Sequence, residues 1–334
     1  MIQTTSPSAR AGAVQAGPVA PPISPDATIV VENLSKWYGD VVAVSNVTFG
    51  VDPGVTALLG PNGAGKSTTL EMMTGLLAPS QGTIRILGKP ARGDVNLYRS
   101  IGLVPEQELI YPFMTAREFV HFNAVLQKLP DPAAATERAL RIVDLLPDAD
   151  RPTRGFSKGM RQRAKVAAAL VHDPTILLMD EPLNGTDPLQ RAKLIDLMRA
   201  LGRQGKTILV SSHVLQEVER FADRILVIAR GKLAAAGDYH AIRDKIDEHA
   251  RAVRIRGDDP RKLAEALIHD PAVVSLRFET LVDGERPALI VETADVRALY
   301  RNVPRAAQQQ GVRLFEIASL DDSLASVFAY VVGR

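Results

Sequence analysis

Residues 60–68 read GPNGAGKST and lie between a short apolar run that ends at Leu59 and a segment predicted to be a helix over residues 66–77. The glycines allow the backbone to turn so tightly that successive N–H groups can point at one anion. The N-terminus of the following helix adds about half a positive charge at the same place. This strand–loop–helix context predicts a phosphate-binding loop and disfavours the alternative, a simple glycine-rich turn.

Within this phosphate loop, two side chains stand at the start of the predicted helix. Lys66 is expected to reach the β- and γ-phosphates of a nucleotide, and Ser67 is expected to bind Mg²⁺. The residues predicted to contact the nucleotide are Gly60, Pro61, Asn62, Gly63, Ala64, Gly65, Lys66, Ser67 and Thr68.

A pair of adjacent carboxylates forms a second signal far downstream. Residues 175–179 are an apolar run typical of a buried strand, and the run is followed by Asp180 and Glu181. The carboxyl ends of parallel strands are where α/β sheets bind ligands. Asp180 is therefore predicted to hold Mg²⁺, usually through water, and Glu181 to polarise an attacking water as general base. Alone, the pair would favour solvated acids at a strand end, and the phosphate loop decides for the catalytic interpretation.

The order of predicted elements indicates an α/β fold with a long core region. Residues 1–26 are rich in Pro, Ala, Ser and Thr, without an apolar segment, and are predicted to be a disordered tail. Residues 27–240 alternate strands with helices, which predicts a mainly parallel, layered sheet. A helical subdomain is expected to be inserted into this core at about residues 94–172.

The pattern changes beyond residue 240. Residues 241–334 read as β-α-β-β-α-β, which predicts a small accessory α+β domain of the split-βαβ kind. The Asp-Gly pair at residues 283–284 is expected to form a hairpin turn. Residues 320–332 are predicted to form a last helix.

The bulk composition excludes several classes of protein. The chain has 334 residues and a formal net charge of +2, which argues against a dedicated nucleic-acid binder. It has no cysteine, so disulfides and Cys-based metal sites are excluded. No apolar run approaches the roughly 20 residues of a membrane-spanning helix. The run at residues 164–171 is short and is interrupted by Lys165. We therefore expect a chain that is soluble in itself.

A third element lies at residues 156–163, which read FSKGMRQR and precede the acidic pair. With the two motifs above, it resembles the nucleotide-binding subunits of ABC transporters. Ser157 and Gly159 match the LSGGQ signature of that family, whereas Lys158 and Met160 depart from it. The resemblance implies that Ser157, Lys158 and Gly159 cross to a second subunit and bind its ATP, with Lys158 as an additional cation. The alternative is an ordinary basic helix capped by Ser157.

Further matches fall in the family's order along the chain. The resemblance implies an aromatic ring that stacks on adenine, a Q-loop side chain that contacts Mg²⁺ or the attacking water, a D-loop aspartate that communicates across a dimer, and a switch histidine that orients the γ-phosphate. These residues are, in the same order, Tyr38, Glu106 or Gln107, Asp187 and His213. The family's glutamine aligns with Glu106, and Gln107 follows it, so the choice between them stays open. Non-functional alternatives exist for the other three residues. Tyr38 could be a core or surface tyrosine, Asp187 could form a turn before a proline, and His213 could be a structural histidine.

Residues 109–117, LIYPFMTAR, resemble the segment that faces the membrane subunit in this family. Tyr111 and Phe113 are candidate contact aromatics there. The alternative is that both side chains belong to the core.

The resemblance covers about residues 28–237 and implies an ATPase with a P-loop core of the ABC type. It implies that two chains, identical or similar, close around two ATP molecules with Mg²⁺ and drive a separate integral-membrane permease from the cytoplasmic face of the membrane. The KGMRQR form, the Q-loop and the C-terminal region narrow the resemblance to ABC-2-type exporters. No nucleic-acid partner is expected. One alternative is a soluble ABC ATPase of translation or DNA repair. A second alternative is a catalytically weak regulatory subunit, and the intact Lys66, Asp180, Glu181 and His213 argue against this second alternative.

Overall fold

The computed structural model describes residues 23–107, 110–238, 251–279 and 288–320. Most of the predicted N-terminal tail, the predicted turn at residues 283–284 and nearly all of the last predicted helix lie outside these ranges. Inside them, we find no helix with the length and apolar character that crossing a membrane requires.

The described chain opens with an antiparallel sheet. β1 (Ile29–Tyr38) pairs with β2 (Val41–Val51) on one side and with β4 (Gln81–Ile86) on the other, and the short β5 (Lys89–Pro90) follows β4 at the edge. One face of this sheet contributes β-branched and aromatic side chains to a core that also contains side chains of α1 (Lys66–Met73). The sheet therefore supports the helix that follows the phosphate loop.

A six-stranded sheet forms the centre of the molecule. Its strands are β3 (Gly54–Leu59), β6 (Ile101–Val104), β7 (Ile176–Met179), β8 (Thr207–Ser212), β9 (Arg224–Ala229) and β10 (Lys232–Asp238). The order across the sheet is β10-β9-β3-β8-β7-β6, and every pairing is parallel except the one between β9 and β10. The predicted mainly parallel α/β core is confirmed.

Both faces of the six-stranded sheet are buried. In β7, Leu177 and Met179 belong to one core cluster, whereas Ile176 and Leu178 belong to the other. Successive side chains of a strand point to opposite faces, so a strand covered on both sides needs an unbroken apolar run. This requirement explains why the runs before the phosphate loop and before the acidic pair contain no polar alternation.

Helices cover the face of the six-stranded sheet that points away from the antiparallel sheet. These helices are α2 (Ala116–Leu126), α3 (Pro132–Ile142), α4 (Lys158–Leu170), α5 (Pro188–Arg203) and α6 (Leu215–Val218). α2, α3 and α4 also pack against one another. Each of these three begins at a side chain that accepts a backbone N–H bond, namely Thr115, Asp131 and Ser157.

Two boundaries differ from the sequence-based expectation. β6 is a strand of the central sheet inside the segment that the sequence assigned to helices, residues 94–172, so the α-helices of this segment begin only after it. Its four apolar residues carry too little periodicity to be distinguished from a helix. Helix α1 ends at Met73 and not at residue 77, because Gly75 adopts a left-handed φ of +74° that stops a helix.

The described residues beyond 250 form a separate antiparallel sheet with two helices. Its elements are β11 (Arg251–Gly257), α7 (Pro260–Leu267), β12 (Val273–Phe278), β13 (Ala288–Thr293), α8 (Val296–Gln310) and β14 (Leu314–Ser319). The strand order is β12-β13-β11-β14, and the elements follow the expected β-α-β-β-α-β sequence. Val253 and Ile255 of β11 share a buried cluster with Leu263 of α7 and Leu299 of α8, so this sheet has its own core.

Candidate functional site

The carboxyl ends of three neighbouring parallel strands meet at one edge of the central sheet. The phosphate loop follows β3, the acidic pair follows β7, and His213 follows β8. The backbone N–H of Gly60 donates to the carbonyl of Ser212 at 3.1 Å, which joins the phosphate loop to the end of β8. The fold therefore brings together three motifs that are far apart in the sequence.

The phosphate loop is shaped by close backbone approach. Gly65 has a φ of +101°, and a Cβ atom placed there would lie 2.4 Å from the carbonyl oxygen of Ala43. Gly65 also caps α1 without a side-chain hydrogen bond, and the first turn of α1 contains no acidic residue. The positive end of α1 is therefore left for an external anion.

Lys66 is held inside the site. Its Nζ donates to the carbonyls of Gly60 and Pro61 at 2.7 and 3.2 Å, and it forms an ion pair with Oε1 of Glu181 at 3.1 Å. The Lys66 and Glu181 side chains are only 6% and 8% exposed. A buried charge without a partner is costly, so this pair stabilises both groups in a site that binds an anion.

Glu181 is oriented from three directions. Its second carboxylate oxygen lies 2.9 Å from Nδ1 of His213, and its backbone N–H donates to Oγ of Ser211 at 2.8 Å. The Ser211 hydroxyl in turn donates to Oδ1 of Asp180 at 2.5 Å. One serine thus links the Asp180 carboxylate to the backbone of Glu181. Sequence reasoning missed Ser211, although its place in the SSH run before the histidine was a usable signal.

The donor set fits a Mg²⁺ ion that is shared with a phosphate. Ser67 and Asp180 supply hard oxygen atoms next to the phosphate loop, and the described ranges contain no cluster of three His, Cys, Asp or Glu side chains that could hold a metal alone. Mg²⁺ is usually bound by one or two protein oxygens together with substrate phosphates and water. Ser67 and Asp180 match that pattern.

The signature segment, residues 156–163, packs against the D-loop, residues 184–188, of the same chain. The Ser157 hydroxyl accepts the Met160 N–H at 3.2 Å and caps α4, as predicted. The side chain of Lys158 lies over Gly185, where any Cβ atom would collide with it. Lys158 also lines a cavity of about 150 Å³ together with Glu106 and Glu181. A role for Lys158 toward a second subunit stays a prediction.

The predicted adenine-stacking residue and both Q-loop candidates are exposed. Tyr38 is 49% exposed at the end of β1, with Nζ of Lys36 5.1 Å from its ring centroid. Glu106 and Gln107 are exposed as well, but their backbone carbonyls accept hydrogen bonds from Lys165 of α4. Sequence reasoning assigned no role to Lys165, and the interruption of an apolar run by a lysine was the signal.

A charge network links the D-loop to the helix after His213. Asp187 caps α5 by accepting the N–H groups of Leu189 and Gln190 at 3.1 and 3.0 Å. Four residues later, Arg191 donates to the Thr186 carbonyl at 3.3 Å and pairs with Glu217 of α6 at 3.0 Å. Burial raises the pKa of Glu217, and the attraction of Arg191 opposes this shift. Neither Arg191 nor Glu217 was singled out from the sequence.

Tyr111 and Phe113 do not belong to the core. Their side chains are 55% and 76% exposed, and their ring centroids lie 5.6 Å apart. The core alternative for both residues is therefore wrong, and the pair forms an exposed aromatic patch.

Comparison with known sequences gives concordant matches. A family described as "ABC transporter" matches residues 44–184. The chain is 37% identical to the Nod factor export ATP-binding protein I of Ralstonia nicotianae, over 95% of this chain and 97% of that protein. It is 32% identical to an uncharacterized ABC transporter ATP-binding protein, YxlF, of Bacillus subtilis, over 90% of this chain and 98% of that protein.

Comparison with solved structures gives the same result. An ATP-binding subunit of an ABC transporter matches with a TM-score of 0.59 and 32% identity, over 66% of this chain and 93% of that one. The cbiO1 protein of Clostridium perfringens, part of the transporter complex cbiONQ, matches with a TM-score of 0.60 and 26% identity, over 74% and 96%. A dimeric ATP-binding cassette bound to ADP and Pi matches with a TM-score of 0.58 and 26% identity, over 63% of this chain and 98% of that one.

The first prediction concerns Gly65. In Gly65→Ala, a Cβ atom 2.4 Å from the Ala43 carbonyl, together with the positive φ, forces the phosphate loop to shift. Strain of this kind costs about 1–3 kcal/mol, so nucleotide affinity is expected to fall about tenfold or more in a titration with a fluorescent ATP analogue. Gly88→Ala is the control, because Gly88 also has a positive φ but open space around it. Unchanged affinity in Gly65→Ala would contradict this account of the loop.

The second prediction concerns the pH dependence of stability. Because burial raises the folded-state pKa of Glu217 above its usual 4.5, the stability due to this group is complete below pH 4.5 and is lost as pH rises through the folded-state pKa. Glu217→Gln removes this titration. The melting temperature of the variant minus that of the wild type is therefore expected to become more positive as pH rises from 4.5. A melting-temperature difference that stays constant with pH in Glu217→Gln would refute the assignment.

Proposed function

Because the chain belongs to the ATP-binding subunits of ABC transporters and is an ATPase of that family, we propose that it drives export through a separate membrane permease of the ABC-2 type. The relatives named as Nod factor export proteins support the direction of transport. The alternative of a soluble ATPase in translation or DNA repair is not supported, since the matching proteins are named as transporter subunits.

The observation that carries the proposed chemistry is the contact of Glu181 with both Lys66 and His213. We assign Glu181 as the general base, because its carboxylate lies at the strand end beside the phosphate loop and is oriented by His213 at 2.9 Å. When ATP binds, Lys66 releases Glu181 and binds phosphate oxygens, because one ammonium group cannot donate fully to the carboxylate and to the phosphates at the same time. That exchange releases the Glu181 carboxylate to polarise a water. His213 then holds the carboxylate in place.

Mg²⁺ belongs to this proposal as a second cofactor beside ATP. When bound, the ion would neutralise part of the phosphate charge. Ser67 and Asp180 would hold it, with Glu106 or Gln107 as a further contact through the Q-loop. The hydrogen bond from Ser211 fixes the direction of the Asp180 carboxylate, which leaves its other oxygen for water or metal.

We further propose that two chains, identical or similar, close around two ATP molecules. Ser157, Lys158 and Gly159 of one chain would complete the site of the other, with Asp187 at the junction and Tyr38 on the adenine. The sequence contains one copy of each motif, and a structural relative is a dimeric cassette. ATP contacts both halves only in the closed dimer, so its binding shifts the population toward closure.

The permease contact is proposed at the exposed aromatic patch of Tyr111 and Phe113. Exposed aromatic side chains of this kind are typical anchors of protein interfaces. The chain would then lie at the cytoplasmic face of the membrane, attached through the permease. We propose a tail at residues 1–26, an ATPase domain at residues 27–240 and an accessory domain at residues 241–334. The accessory domain would regulate closure, assist dimerisation or stabilise the chain.

The third prediction tests closure. Glu181→Gln keeps a hydrogen-bonding partner for His213 but cannot act as a base, so ATP should bind without turnover and trap the dimer. Light scattering after size-exclusion chromatography at saturating ATP should give twice the monomer mass, with hydrolysis reduced about 100-fold or more. Glu265→Gln should behave as the wild type. A monomeric Glu181→Gln chain under these conditions would contradict the closure model.

The fourth prediction tests the permease contact. Replacing Tyr111 and Phe113 together by Ala should weaken recovery of the permease from detergent-solubilised membranes about 30-fold or more, because two anchor side chains are lost. The partner is identified by mass, and ATP affinity should not change. Phe278→Ala, at a 54% exposed position in β12, is the control. Recovery of no integral-membrane partner by the wild type would refute the permease proposal itself.

A further inference from the structure

Lys165 is a buried lysine in the middle of α4. Its relative exposure is 5%, and its neighbours Ala164, Val166 and Ala167 are all core residues. Lysine is almost never buried to this extent unless its ammonium group is paired. The position therefore demands a specific reason, which the packing of α4 by itself does not supply.

The Lys165 ammonium group binds three consecutive backbone carbonyls. Its Nζ donates to the carbonyl oxygens of Pro105, Gln107 and Glu106 at 2.7, 3.1 and 3.3 Å. An ammonium carries three donors that can diverge toward three acceptors, which neither a methionine nor a glutamine side chain can reproduce. Residues 105–107, which we term the Q-loop segment, are thereby attached to α4 through their main chain.

The first residue of the Q-loop segment follows a residue that is hydrogen-bonded to the end of β7. The segment begins directly after β6, where the carbonyl of Val104 accepts the N–H of Asp180 at 2.8 Å. Lys165 lies eight residues after Ser157 on the same helix, a distance of about 12 Å along the axis. The Q-loop segment is therefore held between the strand that delivers Asp180 and the helix that carries the signature segment.

We infer that Lys165 is a positioning residue that fixes the Q-loop segment to α4, so that movement of α4 sets the position of Glu106 and Gln107. It acts on the Q-loop segment through the three backbone carbonyls. The inference rests on the proposed function, in which the Q-loop side chains contact Mg²⁺ or the attacking water. Loss of Lys165 should therefore lower the rate of the chemical step and leave ATP affinity intact.

The test compares Lys165→Met with the wild-type full chain, using ATP and Mg²⁺. We expect kcat for ATP hydrolysis to fall about tenfold or more, because small misplacements of catalytic groups are costly, while ATP affinity stays within about twofold. Amide hydrogen exchange at Glu106 and Gln107 should accelerate. Lys193→Met is the matched control, since Lys193 is 45% exposed and pairs with Asp144 on the surface; it should change neither kcat nor exchange.

A second variant keeps the inference open to refutation. Lys165→Gln retains a donor but cannot bind all three carbonyls, and it should show the same selective loss of kcat. Wild-type kcat in a folded variant, or a loss of kcat matched by a loss of ATP affinity without faster exchange at the Q-loop segment, would overturn the inference. Failure of both variants to fold would assign Lys165 to stability alone and would overturn it as well. Absence of hydrolysis in the wild type would refute the proposed function instead.

Discussion

The ion pair between Lys66 and Glu181 is the contact on which the site depends. It joins the phosphate loop to the end of β7 with both side chains nearly fully buried. Each charge is unfavourable there without the other, because burial removes the water that would solvate it. The contact is possible only because β3 and β7 both pair in parallel with β8, which brings their carboxyl ends to the same edge of the sheet.

Polar side chains near this pair form hydrogen bonds and ion pairs between neighbouring motifs. Ser211 connects the Asp180 carboxylate to the backbone N–H of Glu181, and Arg191 connects the D-loop carbonyl of Thr186 to Glu217. Lys165 adds a connection between the Q-loop segment and α4. A buried polar group is costly without a partner, so each of these contacts stabilises the segments that it joins.

The sequence was sufficient to find the motifs whose physics is local. The glycines of the phosphate loop, the lysine that follows them and the adjacent carboxylates at 180–181 lie within short stretches, and each stretch is bounded by an apolar run of strand character. A cap such as Ser157 depends only on the next three residues, so it was also predictable. The resemblance to a family supplied the predicted roles of Tyr38, Asp187 and His213, which local physics alone left ambiguous.

The tertiary structure decided what depends on distant partners. β6 is a strand because β7 pairs with it, and nothing within its four residues requires that conformation. Ser211, Arg191, Glu217 and Lys165 matter through contacts with residues far away in the chain, and a single sequence does not encode those distances. The sequence by itself therefore determined which chemical groups are present and in what order. The fold decided which of them meet, because side chains meet according to the pairing of strands and the packing of helices, whatever their separation along the chain.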